Sequence, residues 1–395
     1  MRVLVVTHNY PRFAGDPAGA FVARLAAAAQ DAGHEVRVLA PHAPGTAAEA
    51  REGGVLVTRF RYAPEPLERV GYRGDLHRSP VLSPVALLGV PAMLLAFRRA
   101  LRRLVREFHP DIVHAHWWIP SGWVTAGAGD PFIVTCHGSD VRLLERARAI
   151  RALGGRVLAR ASAVTTVSHF LAEDVRTLLP ALRTPVRVLP MPIDMARFAA
   201  GRSVPKASPP RILYAGNLIP SKGVADLVSA FALLRGSGVE CQLRVLGEGP
   251  SAGELREIAH SLGVDDAIQW FPFVSQDAMP AEYGASSVTV LPTRGRAEGL
   301  GLTLVEALAA GCAVVGTPAG GIPEVVIDGR TGLIARDSDP GDLARQLRTM
   351  LTDDPLRACL TAEGQRHVES IFAPERAAAN YIALYHDIVD GRVGV

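Results

Sequence analysis

Lysine is almost missing from this chain of 395 residues: only Lys206 and Lys222 stand among 42 basic side chains, the rest being arginine. Cysteine is sparse too. Cys136, Cys241, Cys312 and Cys359 are scattered and form no Cys-x-x-Cys pair, which argues against a zinc site and suits reduced thiols in a cytosol. No apolar run reaches the ~20 residues of a membrane-spanning helix. The nearest, "VLSPVALLGVPAMLLAF" at 81–97, contains Pro84 and Pro91, so a partly buried or interfacial helix is expected there. The start, "MRVLVVTHNYPRF", lacks a signal-peptide core and cleavage site and reads as a first buried strand. No Walker P-loop is present. "GEGPSAG" at 247–253 has one residue too many before its last glycine for a dinucleotide fingerprint, which weakens any case for NAD chemistry.

What is present is ordinary globular composition, 48% hydrophobic and 21% charged. The length exceeds one ordinary core and points to two domains. The net charge of +3 is uneven, +8 through residue 195 and −5 beyond it. A basic front half either attracts an anionic partner or reflects solvated arginines.

Strands and helices alternate along the chain. "VLVVTH", "HEVRVLAP", "GVLVTRFRY", "DIVHAHW", "PFIVTCHG", "AVTTVS" and "VRVLP" are apolar and β-branched, as buried parallel strands are. Helical spacing falls between them at 20–33, 92–108 and 145–160. The small, proline-rich stretch "AAGRSVPKASPP" at 199–210 reads as a linker. A second βα series follows from "RILYAG" to "TGLIA", and helices at 340–352, 355–370 and 374–390 close the chain. The expected architecture is α/β: two doubly wound parallel-sheet domains facing a central cleft. The expected divisions are 1–195, a hinge at 196–210, 211–370, and a C-terminal helix at 371–395.

One stretch concentrates the chemistry. In "VLPTRGRAEGLGLTLVEALAAG" a strand leaves the core, a glycine-containing turn follows, and a helix begins. Unbonded N–H groups and the positive end of the macrodipole make such a helix start an anion site that suits a diphosphate. Glu306 sits on the first turns, and helical side chains lean toward the N-terminus. Glu298 precedes the helix. A carboxylate takes two hydroxyl donors well, so two carboxylates flanking a phosphate site match a sugar nucleotide, with diols at both ends. The alternative is one capping and one surface glutamate. In "YAGNLIPSKGVADL", Lys222 lies in a loop at a strand's carboxyl end, where a lysine in an arginine-rich chain suggests a point charge on phosphate oxygens. "RDSDP" at 336–340 reads as a turn and helix cap rather than a metal–diphosphate site. "HAH" at 114–116 puts two imidazoles on one strand face with no third ligand nearby, so histidines lining a cleft are expected there.

At these residues the sequence resembles the retaining GT-B glycosyltransferases of family 4. "EGLGLTLVE" resembles the family's E-x7-E signature, "GNLIPSKG" its phosphate loop, and "AGGIPEVVIDGRTGLI" the segment after its signature helix. "AGAFVARLAAAAQDAGHEV", "DIVHAHW", "TCHGSD" and "FLAEDV" resemble its N-domain landmarks. The resemblance covers nearly the whole chain. It implies two Rossmann-like domains, a nucleotide-sugar donor on the second, an acceptor on the first, a closing hinge, and a last helix crossing back. It implies that Glu306 binds the donor ribose, Glu298 the donor sugar hydroxyls, and the amides of Gly299, Leu300, Gly301 and Leu302 the sugar and phosphate. It places His137 beside the anomeric carbon and Gly19 beside the diphosphate, with Lys222 stabilising the leaving charge. The implied reaction retains anomeric configuration without a metal or other cofactor. A nucleotide-sugar epimerase and a non-catalytic binding protein are the alternatives.

Three positions depart from the family pattern. Asn217 replaces an arginine of the phosphate loop, so the missing charge falls to the Asn217 amide, Arg294 or Arg296. Met191 and Pro192 replace an asparagine–glycine pair at the hinge. The loop "AGDPAGAFV" leaves Gly19 ambiguous by two or three positions. On the acceptor side, His116, Trp117 and Asp140 are the candidates, and the run of Trp117, Trp118 and Trp123 offers aromatic faces to a sugar or lipid. The acceptor is expected to be a small molecule, a glycan or a lipid-linked sugar; no nucleic acid is expected. The enzyme is expected in the cytoplasm, with weak contact to the inner, anionic membrane face through 93–106, where Leu94, Phe97, Leu101, Leu104 and Val105 alternate with five arginines. The competing reading packs that stripe on the domain's sheet.

Overall fold

The computed structural model describes residues 1–68, 84–128 and 131–392, without the side chains of residue 66 and residues 84–88. The chain divides into two compact units, Met1–Pro192 with Pro374–Val395, and Ile193–Ala373. It passes between them at 192–193 and 373–374. Residues 196–210, expected as the hinge, therefore lie within the second unit. The reason is local packing. A Cβ on Gly201 would come within 2.4 Å of the Pro280 carbonyl oxygen, Arg202 Nε donates to the Ala309 carbonyl at 2.9 Å, and Lys206 Nζ donates to the Ser286 carbonyl at 2.8 Å.

In the first unit the strands are β1 Arg2–Val6, β2 Glu35–Pro41, β3 Glu49–Glu52, β4 Val55–Phe60, β5 Ile112–His116, β6 Phe132–Cys136, β7 Ala163–Thr166 and β8 Val186–Val188. They form one sheet ordered β3-β4-β2-β1-β5-β6-β7-β8. All pairings are parallel except β3–β4, which is antiparallel. β3 was missed: "EARE" is too polar and short to read as a strand, and it alternates exposed with half-buried residues at the sheet's edge. The expected helix at 145–160 is two, Ser139–Arg146 and Arg148–Leu158, broken at the extended Ala147.

The helix Pro84–Phe108 contains Pro91 within it and starts earlier than the sequence suggests. Residues 81–83 of the apolar stretch lie outside the described residues. Met93, Phe97, Leu101 and Leu104 are buried, and Phe97 stacks on Phe60 of β4 with ring centroids 4.4 Å apart. The apolar stripe thus lies on the sheet, as the second of the two expected readings has it; Arg99, Arg102, Arg103 and Arg106 are left exposed. No described helix is long and apolar enough to cross a membrane. The last helix, Pro374–Val389, belongs to this unit, and Tyr385 and Tyr381 are buried in it.

The second unit carries β9 Arg211–Ala215, β10 Gln242–Leu246, β11 Ile268–Phe271, β12 Val288–Leu291, β13 Ala313–Gly316 and β14 Leu333–Ile334. They form a parallel sheet ordered β11-β10-β9-β12-β13-β14. The strand order reverses between β1 and β5 in one sheet and between β9 and β12 in the other. Open α/β sheets bind ligands outside the strand ends at such switch points; the candidate residues follow those four strands, except His137 and Asp140, which follow the neighbouring β6.

Candidate functional site

In the second unit the chain leaves β9 through Gly216 and Asn217 and turns into the helix Val224–Gly236 after Gly223. That glycine is required: its φ is +66°, and a Cβ there would lie 1.9 Å from the Pro292 carbonyl oxygen beyond β12. The close approach joins the two strand-end loops, and the Arg294 amide donates to the Ser221 carbonyl at 2.9 Å. Lys222 and Glu298 are brought together: Lys222 Nζ donates to Glu298 Oε2 at 2.6 Å, both largely buried. Such a pair costs desolvation of both charges, offset by their contact.

The helix Leu302–Ala309 starts at Gly301, which is left-handed with φ 89°. Its first amides have no intrahelical partner. Leu300 is buried; Leu302 is half-buried at the first turn. The backbone of Glu298 and Gly299 is seated on a glycine pair: a Cβ on Gly320 would meet the Glu298 carbonyl oxygen at 1.8 Å, and one on Gly321 the Gly299 carbonyl oxygen at 2.4 Å. The Gly321 amide donates to the Glu298 carbonyl at 3.2 Å. Glu306 is half-buried, one turn into the helix, and Tyr283 Oη donates to its Oε2 at 2.9 Å. Burial first, then the Glu306 charge, pushes the Tyr283 phenol far above its ordinary value, so it stays a donor. Sequence reasoning missed Tyr283, which lies 23 residues from Glu306 with no motif around it.

Of the residues proposed for the missing phosphate-loop charge, Arg294 is committed elsewhere. Its Nε and Nη2 reach both oxygens of Asp226 at 2.7 and 2.6 Å, and that bidentate contact holds its guanidinium charged. Asn217 is half-buried at the end of β9, and its carbonyl accepts from Tyr214 Oη at 2.8 Å. Asp339 of "RDSDP" caps the helix Pro340–Thr352, accepting from the Asp342 amide at 2.9 Å.

In the first unit, Gly19 precedes the helix Ala20–Asp31 with φ +62°, its Cα so near the loop after β1 that a Cβ would lie 2.0 Å from the Asn9 carbonyl oxygen. After β5 and β6 stand His116, Trp117 and His137. Their rings cluster with His8 and Phe21: Trp117 lies 4.3 Å from His137 and 4.6 Å from His8, and Phe21 lies 5.0 Å from His137, centroid to centroid. His116 Nδ1 and His137 Nε2 are 3.1 Å apart. Burial lowers both imidazoles, His116 to about 3 and His137 well below its ordinary value, with the neighbouring histidines adding to it. Asp140, expected on the acceptor side, is buried and bonded to the backbone. Its Oδ1 accepts from the His137 and Gly138 amides at 2.9 and 3.1 Å, and its Oδ2 from the Trp118 amide at 3.2 Å. Trp118 is core, with Nε1 donating to the Asp140 carbonyl at 2.7 Å. Among the described residues no three His, Cys, Asp or Glu side chains gather as a metal-ligand set.

Residues 18–197 match the family described as Glycosyltransferase Family 4, and residues 199–367 the one described as Glycosyl transferases group 1. A D-inositol 3-phosphate glycosyltransferase from Streptomyces scabiei is 30% identical over 336 residues, 75% of this chain and 74% of that protein. The chain belongs to this glycosyltransferase family. Its fold is GT-B: the sucrose-phosphate synthase (tll1590) of Thermosynechococcus elongatus superposes with a TM-score of 0.77 at 22% identity, over 99% of both chains. Anabaena Alr3699/HepE, solved in complex with UDP-glucose, superposes at 0.67 and 17% identity, over 97% of this chain and all of that one. This glycosyltransferase thus carries its signature glutamates, its lysine loop and its histidine cluster at the switch points of two Rossmann-like sheets.

Proposed function

We propose that this glycosyltransferase moves a hexose from a nucleoside-diphosphate sugar to an acceptor hydroxyl, with retention of configuration and without a metal. The observation that carries the reading is the Lys222–Glu298 pair at the start of the helix Leu302–Ala309, with Glu306 one turn on. An ammonium and a row of helix-start amides suit a diphosphate; carboxylates on either side suit the diols of ribose and hexose. The UDP-glucose held by the Anabaena neighbour is a ligand of that class.

In the transfer, the bond from the anomeric carbon to the diphosphate breaks as the acceptor oxygen bonds to that carbon on the same face. The acceptor proton passes to a phosphate oxygen, and the nucleoside diphosphate leaves. Lys222 and the amides of residues 299–302 stabilise the negative charge that builds on the leaving group, which is the work a divalent cation does in other transferases. Glu298 orients the sugar, Glu306 the ribose. His137 serves the chemical step, and Trp117 with Phe21 offers an aromatic wall to a sugar, glycan or lipid-linked acceptor. Action in the cytoplasm agrees with four unpaired cysteines. Weak contact with an anionic membrane would run through the exposed arginines of the helix Pro84–Phe108.

The test is a calorimetric screen of nucleotide sugars, followed by NMR of the product's anomeric signal. Binding of one nucleotide sugar at micromolar affinity and a product of unchanged anomeric configuration are expected. An inverted product, or turnover that EDTA abolishes and Mg²⁺ restores, overturns the mechanism.

A further inference from the structure

The hydrogen bond between His116 and His137 has only one proton to share. Two neutral imidazoles 3.1 Å apart bond through one N–H and one lone pair. The other nitrogen of His116 decides which ring donates. His116 is 0% exposed, and its Nε2 is buried with no hydrogen-bond partner. Were His137 the donor, His116 would carry its proton on that orphaned Nε2. A buried N–H without an acceptor is the rarer and costlier defect, and an unused lone pair is better tolerated. His116 therefore keeps its proton on Nδ1 and donates it to His137.

We infer that His116 is a positioning residue that fixes His137 as the Nδ1–H tautomer, so that His137 presents a ring N–H donor, and not a basic nitrogen, toward substrate. The tautomer of one histidine is set by the bond its other nitrogen makes. His137 Nε2 is occupied as an acceptor, and its Nδ1 has no partner among the described residues. Its ring is held by Trp117 on one side and Phe21 nearby. His116 in turn is fully buried against a fixed neighbour. Its ring lies 4.1 Å from that of His114, which is pinned by Tyr385 Oη at 2.7 Å on Nδ1 and Thr135 Oγ1 at 2.6 Å on Nε2. The burial that keeps both imidazoles neutral keeps the arrangement intact at neutral pH. A ring that can donate but not accept orients a hydroxyl or carbonyl oxygen of the substrate; it does not remove the acceptor's proton. That consequence rests on the role given to His137 above, whereas the tautomer does not.

The experiment is ring-nitrogen NMR of the full chain labelled with ¹⁵N-histidine, with His137 assigned from H137Q. In the wild type, His137 is expected as Nδ1–H. H116N, whose side-chain amide can donate from the Nδ1 position, should preserve that tautomer. H116F, which matches the ring's shape and cannot donate, should shift His137 toward Nε2–H. Turnover of H116F should fall by roughly an order of magnitude or more, as a wrong tautomer costs in other histidine-dependent enzymes, and H116N should recover part of it, with the donor dissociation constant within about 2-fold of wild type in both. A wild-type His137 found as Nε2–H, or a His137 tautomer unchanged in folded H116F, overturns the inference. If H116F does not fold, the wild-type spectrum alone decides. Neither spectrum depends on which donor sugar the enzyme uses, so failure here is separable from failure of the proposed reaction.

Discussion

Lys222 and Glu298, 76 residues apart in sequence, meet at 2.6 Å, with their side chains only 16% and 17% exposed. Each neutralises the other, so neither is left as an isolated half-buried charge. In the proposed reaction, a diphosphate arriving beside this pair would add the negative charge that lets Lys222 turn from the carboxylate to the leaving group and would free Glu298 for sugar hydroxyls.

Lys222→Ala should lower turnover by ~10²-fold or more, the loss expected when a charge stabilising a leaving group is removed. It also strands the Glu298 carboxylate, so the double variant K222A/E298Q compared with E298Q alone separates the two effects. If K222A owes its loss to the stranded carboxylate, the double variant turns over as fast as E298Q; if Lys222 acts on the leaving group, it is slower than E298Q by a similar ~10²-fold. Turnover equal to that of E298Q would refute the catalytic role. EDTA should leave wild-type turnover unchanged.

Glu306→Ala should weaken donor binding by about 1–3 kcal/mol, the range for one lost charge-assisted hydrogen bond. Tyr283→Phe removes the protein's own donor to the same carboxylate and should cost about 1 kcal/mol of donor affinity through looser placement of Glu306. Calorimetry on both variants decides. Donor affinity unchanged in folded E306A refutes the ribose assignment, and an effect in Y283F as large as in E306A would mean that Tyr283 itself touches the donor.

The sequence shows where charge, helix start and glycine coincide, because these are local: "EGLGLTLVE" and "NLIPSKG" could be read as loops at strand ends from hydrophobic pattern alone. The pairings across sequence distance could not. Tyr283 on Glu306 joins two helices, Asp226 on Arg294 joins a helix to a strand-end loop, and His116 on His137 joins the ends of the neighbouring strands β5 and β6. Asp140 was legible only as an acceptor-side candidate; the fold shows three backbone amides donating to its carboxylate. The arginine-rich helix was ambiguous for another reason, since an amphipathic stripe has the same period whether it faces a sheet or a lipid surface.

Gly320→Ala should disable the site without touching any proposed ligand-binding side chain. The residue has φ +55°, and a Cβ would lie 1.8 Å from the Glu298 carbonyl oxygen. The loop must move, and Glu298 with it, at a cost of about 1–3 kcal/mol for the strained backbone. Melting temperature and donor affinity should both fall. Gly329→Ala, at a similar φ of 69° but with open space around its Cβ, is the control that carries the strain without the collision. Equal losses of donor affinity in the two variants would remove the link to Glu298.

Acid should unfold the first unit through its histidines. His114 and His116 are fully buried, and burial lowers both, His114 well below its ordinary value and His116 to about 3. The folded protein thus keeps them neutral, while the unfolded chain protonates them near 6.5. Below that value the unfolded state binds more protons, so the stability present at neutral pH is lost as pH falls through 6.5, and for His116 the loss continues down to about 3. One pH unit below 6.5, linkage gives about 1.4 kcal/mol for each histidine, roughly 3 kcal/mol for the two. That is a large share of a typical domain's stability. The depressed carboxylates Asp16 and Asp342 act lower, below their ordinary 3.8, and leave the window between 7.5 and 5.5 to the histidines. Urea unfolding monitored by tryptophan fluorescence at both pH values measures the loss. His114→Gln replaces a titratable ring with an amide that can still meet Tyr385 or Thr135, and because His137 is lowered by burial as well, it should remove about a third of the pH dependence. A wild-type stability that stays flat between pH 7.5 and 5.5 would show that these rings are charged in the folded state and would remove the basis for a neutral histidine cluster.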